Sequence, residues 1–393
     1  MRKIFLTAVA VLVAGCGEKQ PKSDFVWDLP KGYPAPTVPH DNPMTNARVE
    51  LGRHLFYDVK LSANQTQSCA SCHIQALAFA EPVSVSIGST GHSLRRNASS
   101  LVNVGYNRSL TWAHPYIRSI ERQVLIPMFN EDPEELGITG REQEIMQRFN
   151  SELYNPLFTD AFGDSEVTMD RIAKSLSAFV RSLVSFNSRF DRYTNAGDDS
   201  ALNESEIRGM DLFFSEEVDC HHCHGGFNFT QSINEDEEID EHLPFHNIGM
   251  FNIDGKGGYP EEDMGVYEIT RKKQDMGAFR APTLRNVAVS APYMHDGSMK
   301  TLEEVVDFYA EGGRDIKEGP HKGDGRENPF KSQFVKQVEL SEQDRKDLVA
   351  FLKALTDEEF LTNPKFGNPF FQQKVPENGD ALEPEEIIES AEQ

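Results

Sequence analysis

The sequence predicts a mainly α protein built from two like modules joined by long loops, and three observations predict it. The motif C-x-x-C-H occurs twice, as Cys69-Ala70-Ser71-Cys72-His73 and Cys220-His221-His222-Cys223-His224. A similar run precedes each copy, Leu51-Gly52-Arg53-His54-Leu55-Phe56 in the first and Arg208-Gly209-Met210-Asp211-Leu212-Phe213 in the second. Downstream of each copy apolar residues recur at helical period, at Ile172, Leu176, Phe179 and Leu183, then at Leu348, Phe351, Leu352 and Leu355. Patterns with strand period are few.

Length and composition agree with this reading. A chain of 393 residues favours two domains over one or four, and 38% apolar residues supply their cores. With 26% charged residues and a mean hydropathy of −0.51, a membrane bundle is excluded. Gly 28 and Pro 21 are average usage, more than a pure helical bundle needs. Sixty-three acidic against 39 basic residues give a net charge of −24. That excludes nucleic acid, whose phosphates need a basic face, and suits a cationic or neutral partner.

Residues 4–15 form an apolar run too short to span a bilayer, and Val13-Ala14-Gly15-Cys16 closes it. This resembles the lipobox of bacterial lipoproteins, so residues 1–16 are expected to be a signal peptide ending at a lipidated Cys16. Gly17 after the cysteine resembles outer-membrane sorting in a Gram-negative cell. The expected product faces the periplasm and meets the membrane through its lipid alone. Residues 17–24 are expected to tether the body. Domains are expected at 25–190 and 191–363, with the seam near 187–199, where Asn195-Ala196-Gly197-Asp198-Asp199 breaks helices. The second closing helix has Ser341 as N-cap with Asp344 three residues on. The run 235–241 reads as a solvated loop, and 364–393 as a loose acidic tail.

The paired cysteines carry the chemistry. Two thiols at this spacing add across the vinyl groups of a porphyrin, and the adjacent histidine is carried beneath the ring to ligate iron. A thioredoxin-like redox pair or half a zinc site leaves the histidine after both pairs unexplained. The expected cofactors are therefore two covalent haem c groups, at Cys69, Cys72 and His73 and at Cys220, Cys223 and His224. Each module is then a cytochrome c-like domain.

Further segments are Arg280-Ala281-Pro282-Thr283-Leu284-Arg285-Asn286-Val287, Ala291-Pro292-Tyr293-Met294-His295-Asp296-Gly297 and the run 301–309. With them, the chain from about residue 25 to 362 resembles the bacterial di-haem cytochrome c peroxidase and MauG superfamily. Trp27-Asp28-Leu29-Pro30, Asp41-Asn42-Pro43-Met44, Leu110-Thr111-Trp112-Ala113 and Cys223-His224-Gly225-Gly226-Phe227-Asn228-Phe229 resemble its methanobactin-associated MbnH branch.

The resemblance implies roles residue by residue. Seventeen residues beyond Pro292, where peroxidases place a methionine ligand and MauG-type proteins a tyrosine, stands Tyr309. Read from its surroundings alone it is a core aromatic; the resemblance makes it the second ligand of the His224 haem, a hard anionic donor. Peroxidases that need reductive activation carry a histidine eight residues before the asparagine matched by Asn97, and Ser89 stands there. His92 is out of register, so a surface-loop role is expected and the distal face of the His73 haem is expected to be open. Gln123 and Glu135 resemble the distal glutamine and glutamate, with Glu134 a rival because of a one-residue insertion. Trp112 matches a tryptophan between the haems, a hole relay, with a plain core role as the alternative. Asn97, Ser290 and Pro292 match positions that hold calcium through oxygen, and His295 is expected to be a structural hydrogen-bonder.

The function so implied is oxidation driven by hydrogen peroxide. Peroxide reacts at the His73 haem with help from Gln123 and Glu135, the oxidising equivalents are shared with the His224/Tyr309 haem through Trp112, and a tryptophan on a copper-binding MbnP-like partner is converted to kynurenine. Two alternatives remain: a peroxidase that scavenges peroxide with electrons from a small cytochrome or cupredoxin, and a di-haem electron carrier with both irons six-coordinate.

Overall fold

The computed structural model of the protein describes residues 24–233 and 244–371. The expected signal peptide with Cys16, nearly all of the tether, the acidic run 235–241 and residues 372–393 lie outside the described residues. Helices dominate the architecture. Strands among the described residues are two antiparallel pairs of two residues each, Phe245–His246 with Phe279–Arg280 and Asp315–Ile316 with Gly323–Asp324. No helix among them is long and apolar enough to cross a membrane.

Each half rests on an entry helix crossing a closing helix: Asn46–Tyr57 packs on Met169–Ser182, and Glu204–Phe213 on Glu342–Ala354. A glycine permits each crossing. A Cβ on Gly52 would lie 1.9 Å from the Ser175 carbonyl oxygen and 2.9 Å from Phe179 Cβ; one on Gly209 would lie 1.9 Å from the Asp347 oxygen and 2.9 Å from Phe351 Cβ. The two halves thus repeat one contact at matching residues. The four helices start on Thr45, Thr168, Asn203 and Ser341, whose side chains accept from the backbone three residues on. The expected Ser341 and Asp344 pair closes as a capping box.

The repeat extends into the loops. Asn103 and Asn286 both adopt the left-handed conformation, at φ 56° and 59°, which asparagine tolerates better than most residues. The Asn103 N–H donates to the Leu183 carbonyl at 2.9 Å and that of Asn286 to the Leu355 carbonyl at 3.0 Å. Their side-chain oxygens accept from the N–H groups of Ser185 and Asp357, at 2.8 and 2.7 Å. Each asparagine therefore fastens a loop to the end of its own closing helix.

One core gathers Leu51, Leu55, Phe56, Phe79, Phe158 and Phe179; a second gathers Phe213, Phe229, Leu348 and Phe351; a third, of Met250, Phe251, Tyr259, Phe279 and Phe308, covers the long loops. Between the halves the Arg189–Asn195 helix begins with a Ser188/Asp191 capping box, and Asp191 pairs with the buried Arg285 at 2.8 Å.

The end of the described chain departs from the expected boundary at 363/364. Phe360 and Leu361 are buried in the first core, with Phe366 packed against it. Tyr57 donates to the Phe366 carbonyl at 2.7 Å, and Gln75 to that of Asn363 at 2.9 Å. Residues 358–367 thus pack on the first half, because three apolar side chains bury surface there, and the loose acidic tail does not begin at 364.

Candidate active site

Both C-x-x-C-H segments form single turns in which the histidine N–H donates to the first cysteine's carbonyl, His73 to Cys69 and His224 to Cys220, each at 3.0 Å. A turn of this kind brings positions one, four and five to one side. The Nδ1 atom of His73 lies 2.8 Å from the Phe79 carbonyl oxygen, and that of His224 lies 3.0 Å from the oxygen of Pro282 and 3.3 Å from that of Phe229. A carbonyl only accepts, so Nδ1 carries the proton and Nε2 keeps the lone pair that a metal uses. Burial lowers both imidazoles below the ordinary histidine value, His224 to about 4, which keeps them neutral.

A cavity runs alongside the second motif, lined by Cys220, Cys223, His224 and Tyr309 together with Trp112, Arg280, Met294 and His295. Tyr309 stands near the end of the Leu302–Ala310 helix, which Thr301 caps through the Glu304 N–H. Burial first, then the neighbouring Cys223 and Cys220, push its phenol above the ordinary tyrosine value. A bound cation inverts that preference and holds a phenolate. In the same wall Arg280 is 4% exposed, and burial pushes it down to about 10. Its Nε donates to the Thr111 carbonyl at 3.1 Å, and among the described residues it forms no ion pair. A desolvated guanidinium of this kind calls for an anion.

Around the first motif, burial and then the neighbouring Glu81 push the Glu135 carboxyl up to about 7. Glu135 lies close enough to add to the upward shift of the Cys69 and Cys72 thiols, which burial sets at about 12 and 11. Glu134 is half-buried on the adjacent backbone. Gln123 ends the Ile120–Gln123 helix, and its Oε1 is buried without a hydrogen-bond partner. Ser89 is buried, its Oγ also without a partner. His92 is exposed and contacts Thr90 Oγ1 at 3.1 Å.

Comparison with known proteins gives this arrangement a family. Residues 46–200 match the family described as di-haem cytochrome c peroxidase. Cytochrome-c peroxidase IdrP1 of Pseudomonas sp. (strain SCT) is 31% identical over 357 residues, which cover 87% of this chain and 89% of the relative. The chain belongs to the di-haem cytochrome c peroxidase family. Methylamine utilization protein MauG of Methylorubrum extorquens is likewise 31% identical, over 82% of each chain. The crystal structure of a MauG-like protein associated with microbial copper homeostasis superposes with a TM-score of 0.85 at 47% identity, over 88% of this chain and all of that one.

Membership makes the chain a di-haem peroxidase-type oxidoreductase and implies two haem c groups. The donor set fits them: two thiol pairs, two neutral imidazoles with free Nε2, an orphaned amide oxygen at Gln123 and an unpaired guanidinium at Arg280. Arg280 is the residue the sequence did not single out. Its motif was legible, but only its burial in the cavity wall without an acidic partner shows that the guanidinium is available to an anionic group there.

The di-haem peroxidase also brings several expected residues to the seam between its halves. The Trp112 indole N–H donates to the Asn97 carbonyl at 2.8 Å while Trp112 lines the cavity beside the second motif. The Asn97 N–H donates to the His295 carbonyl at 2.9 Å, and its amide nitrogen to Val83. Asn97 is thereby tied to the turn that follows Ser290 and Pro292, and Ser290 Oγ is engaged with the Val287 carbonyl at 3.2 Å. His295 stacks on Phe279 with centroids 3.6 Å apart.

Proposed function

We propose that this di-haem peroxidase is a MauG-type enzyme that uses hydrogen peroxide to oxidise tryptophan on a separate copper-binding protein. The observation that carries the reading is Tyr309, which shares the cavity wall with Cys220, Cys223 and His224 where peroxidases place methionine. The 47% identity to a MauG-like protein associated with microbial copper homeostasis supports the choice of partner.

The two haems supply, when bound, the iron at which peroxide is split and its oxidising equivalents are held. His73 and His224 present Nε2 to them, and the Phe79 and Pro282 carbonyls hold both rings in orientation. Glu135 takes the proton from the near oxygen of peroxide and returns it to the far one, so that water departs. Gln123 Oε1 accepts from the peroxide during that transfer. Tyr309 would serve as the second ligand of the haem held by His224, and as a phenolate it would favour the oxidised state. Trp112 carries the hole across the seam, its indole N–H held by Asn97. Asn97, Ser290 and Pro292 offer oxygen ligands to a calcium ion that braces the two halves. Tryptophan gains two oxygen atoms and then loses formate on hydrolysis, consuming two molecules of peroxide. A lipid on Cys16, with the body facing the periplasm, would keep the enzyme beside such a partner.

The test is incubation of the holoenzyme with peroxide and a purified copper-binding partner protein, followed by mass mapping of the partner's tryptophans. Conversion of one tryptophan to kynurenine is expected. Unchanged tryptophans, with rapid consumption of a reduced small cytochrome or cupredoxin, would replace this reading with peroxide scavenging.

A further inference from the structure

His221 and His222, the two residues inside the second C-x-x-C-H motif, have no part in the chemistry above. They stand at the surface, with side chains 24% and 29% exposed. Both direct Nε2 at one carboxylate: His221 Nε2 lies 3.5 Å from Glu216 Oε1, and His222 Nε2 lies 3.2 Å from Glu216 Oε2. The ligand atoms of the three residues all fall within 4.8 Å of one another.

The cluster is held in place from several sides. His222 stacks on Phe334, centroids 4.3 Å apart and planes 17° apart, and the His221 ring lies 4.3 Å from that of His222. Glu216 occupies the turn between the entry helix and the motif, where its carbonyl accepts from Lys336 Nζ at 3.3 Å. Lys336 also pairs with Asp219 at 2.6 Å, and Asp219 Oδ1 lies 3.5 Å from His222 Nε2. Each Nε2 faces a different oxygen of the one carboxylate, at 3.5 and 3.2 Å, separations close to the roughly 3.3 Å between tetrahedral ligands of an ion bound at about 2.0–2.1 Å.

We propose that Glu216, His221 and His222 form a surface site for a borderline divalent transition-metal ion, taking Cu2+ most tightly. Two imidazoles and one carboxylate are the donors that suit these ions, and copper heads the affinity order for such a set. A divalent ion takes up the carboxylate charge and both nitrogens at once, where a single carboxylate must otherwise serve two neighbouring rings. His221 Nδ1 is buried without a hydrogen-bond partner. The outer hydrogen bond that usually buttresses a metal-bound histidine is therefore missing, a lack worth about 10–100-fold in affinity, and the ion is exchangeable rather than permanent.

The experiment titrates the full-chain holoprotein, stripped with chelator, with Cu2+ and follows it by electron paramagnetic resonance. One bound ion is expected, with superhyperfine splitting from two nitrogens. His222→Gln and Glu216→Gln are each expected to weaken binding by about 10-fold or more, with haem content per chain unchanged because Cys220, Cys223 and His224 are intact. Glu216→Gln lies outside the attachment motif and keeps the test decisive if His222→Gln attaches haem poorly. An unchanged two-nitrogen signal in the His221→Gln/His222→Gln variant, or no Cu2+ bound by the parent protein, overturns the proposal.

Discussion

The backbone N–H of Ser89 donates to the carbonyl of Glu135 at 2.7 Å. The position at which reductively activated peroxidases carry a histidine is thereby fastened to the segment that holds the half-buried Glu135. Serine's short side chain does not reach across the site as an imidazole would, and His92, exposed in the same loop, points its Nδ1 to Thr90 instead. Neither side chain is placed to take over the proton-transfer role proposed for Glu135.

Glu135 works as an acceptor only when ionised, and burial with Glu81 nearby raises its carboxyl to about 7. A raised value leaves the ionised form depleted below that pH, so the reaction with peroxide should speed up as pH climbs through about 7 and level off above it. Stopped-flow mixing of the oxidised enzyme with peroxide reads this directly. Glu135→Gln should slow the reaction by about 10²–10⁴-fold, while Glu134→Gln leaves it near the parent rate. The opposite result in those two variants would transfer the role to Glu134.

Tyr309 makes a second, spectroscopic prediction. A phenolate favours ferric iron, whereas a thioether raises the reduction potential. Tyr309→Met should therefore raise the potential of the second haem alone, as seen in a spectroelectrochemical titration that resolves the two centres. Equal potentials in the variant and the parent protein would mean that the phenol does not reach the iron.

The paired crossings predict a matched loss of stability. An added Cβ at Gly52 or Gly209 would sit 1.9 Å from a backbone oxygen, an atom that cannot rotate away, so each helix pair must part. Gly52→Ala and Gly209→Ala should each cost about 1–3 kcal/mol or more, measured by denaturant unfolding of the holoprotein. A neutral result at either position would show that the crossing is looser than described.

What the sequence revealed was local. The thiol pairs with their histidines, the Ser341 cap and the scarcity of strand all follow from spacing within a few residues. The remainder depends on contacts that no periodicity reports. Gln75 reaches Asn363 across 288 positions, which is why residues 358–367 read as the end of the second domain and the start of a tail while packing on the first core. Asn103 and Asn286 look like ordinary loop polars until both are seen bonded to the ends of their closing helices. Arg280 shows its importance only when its guanidinium is found desolvated without an acid.

Arg285 and Asp191 carry the last prediction. They lie 94 positions apart and are joined by two hydrogen bonds at 2.8 and 2.9 Å, with side chains 1% and 3% exposed. The guanidinium also lies over the Phe186 and Phe229 rings and donates to the Phe227 carbonyl at 3.0 Å, so it cannot swing out to water when its partner is lost. Asp191→Ala leaves a buried cation uncompensated and also removes half of the Ser188 capping box, and should cost about 3–5 kcal/mol. Ser341→Ala, which removes a cap at an exposed helix start, should cost only about 1 kcal/mol. Replacing both partners, as Asp191→Leu with Arg285→Met, should recover most of the loss, because removing both charges abolishes the desolvation cost that one alone incurs. Thermal unfolding of the three variants separates the cases. A double variant as unstable as Asp191→Ala would show that the pair holds the halves through its hydrogen bonds to the backbone rather than through charge neutralisation.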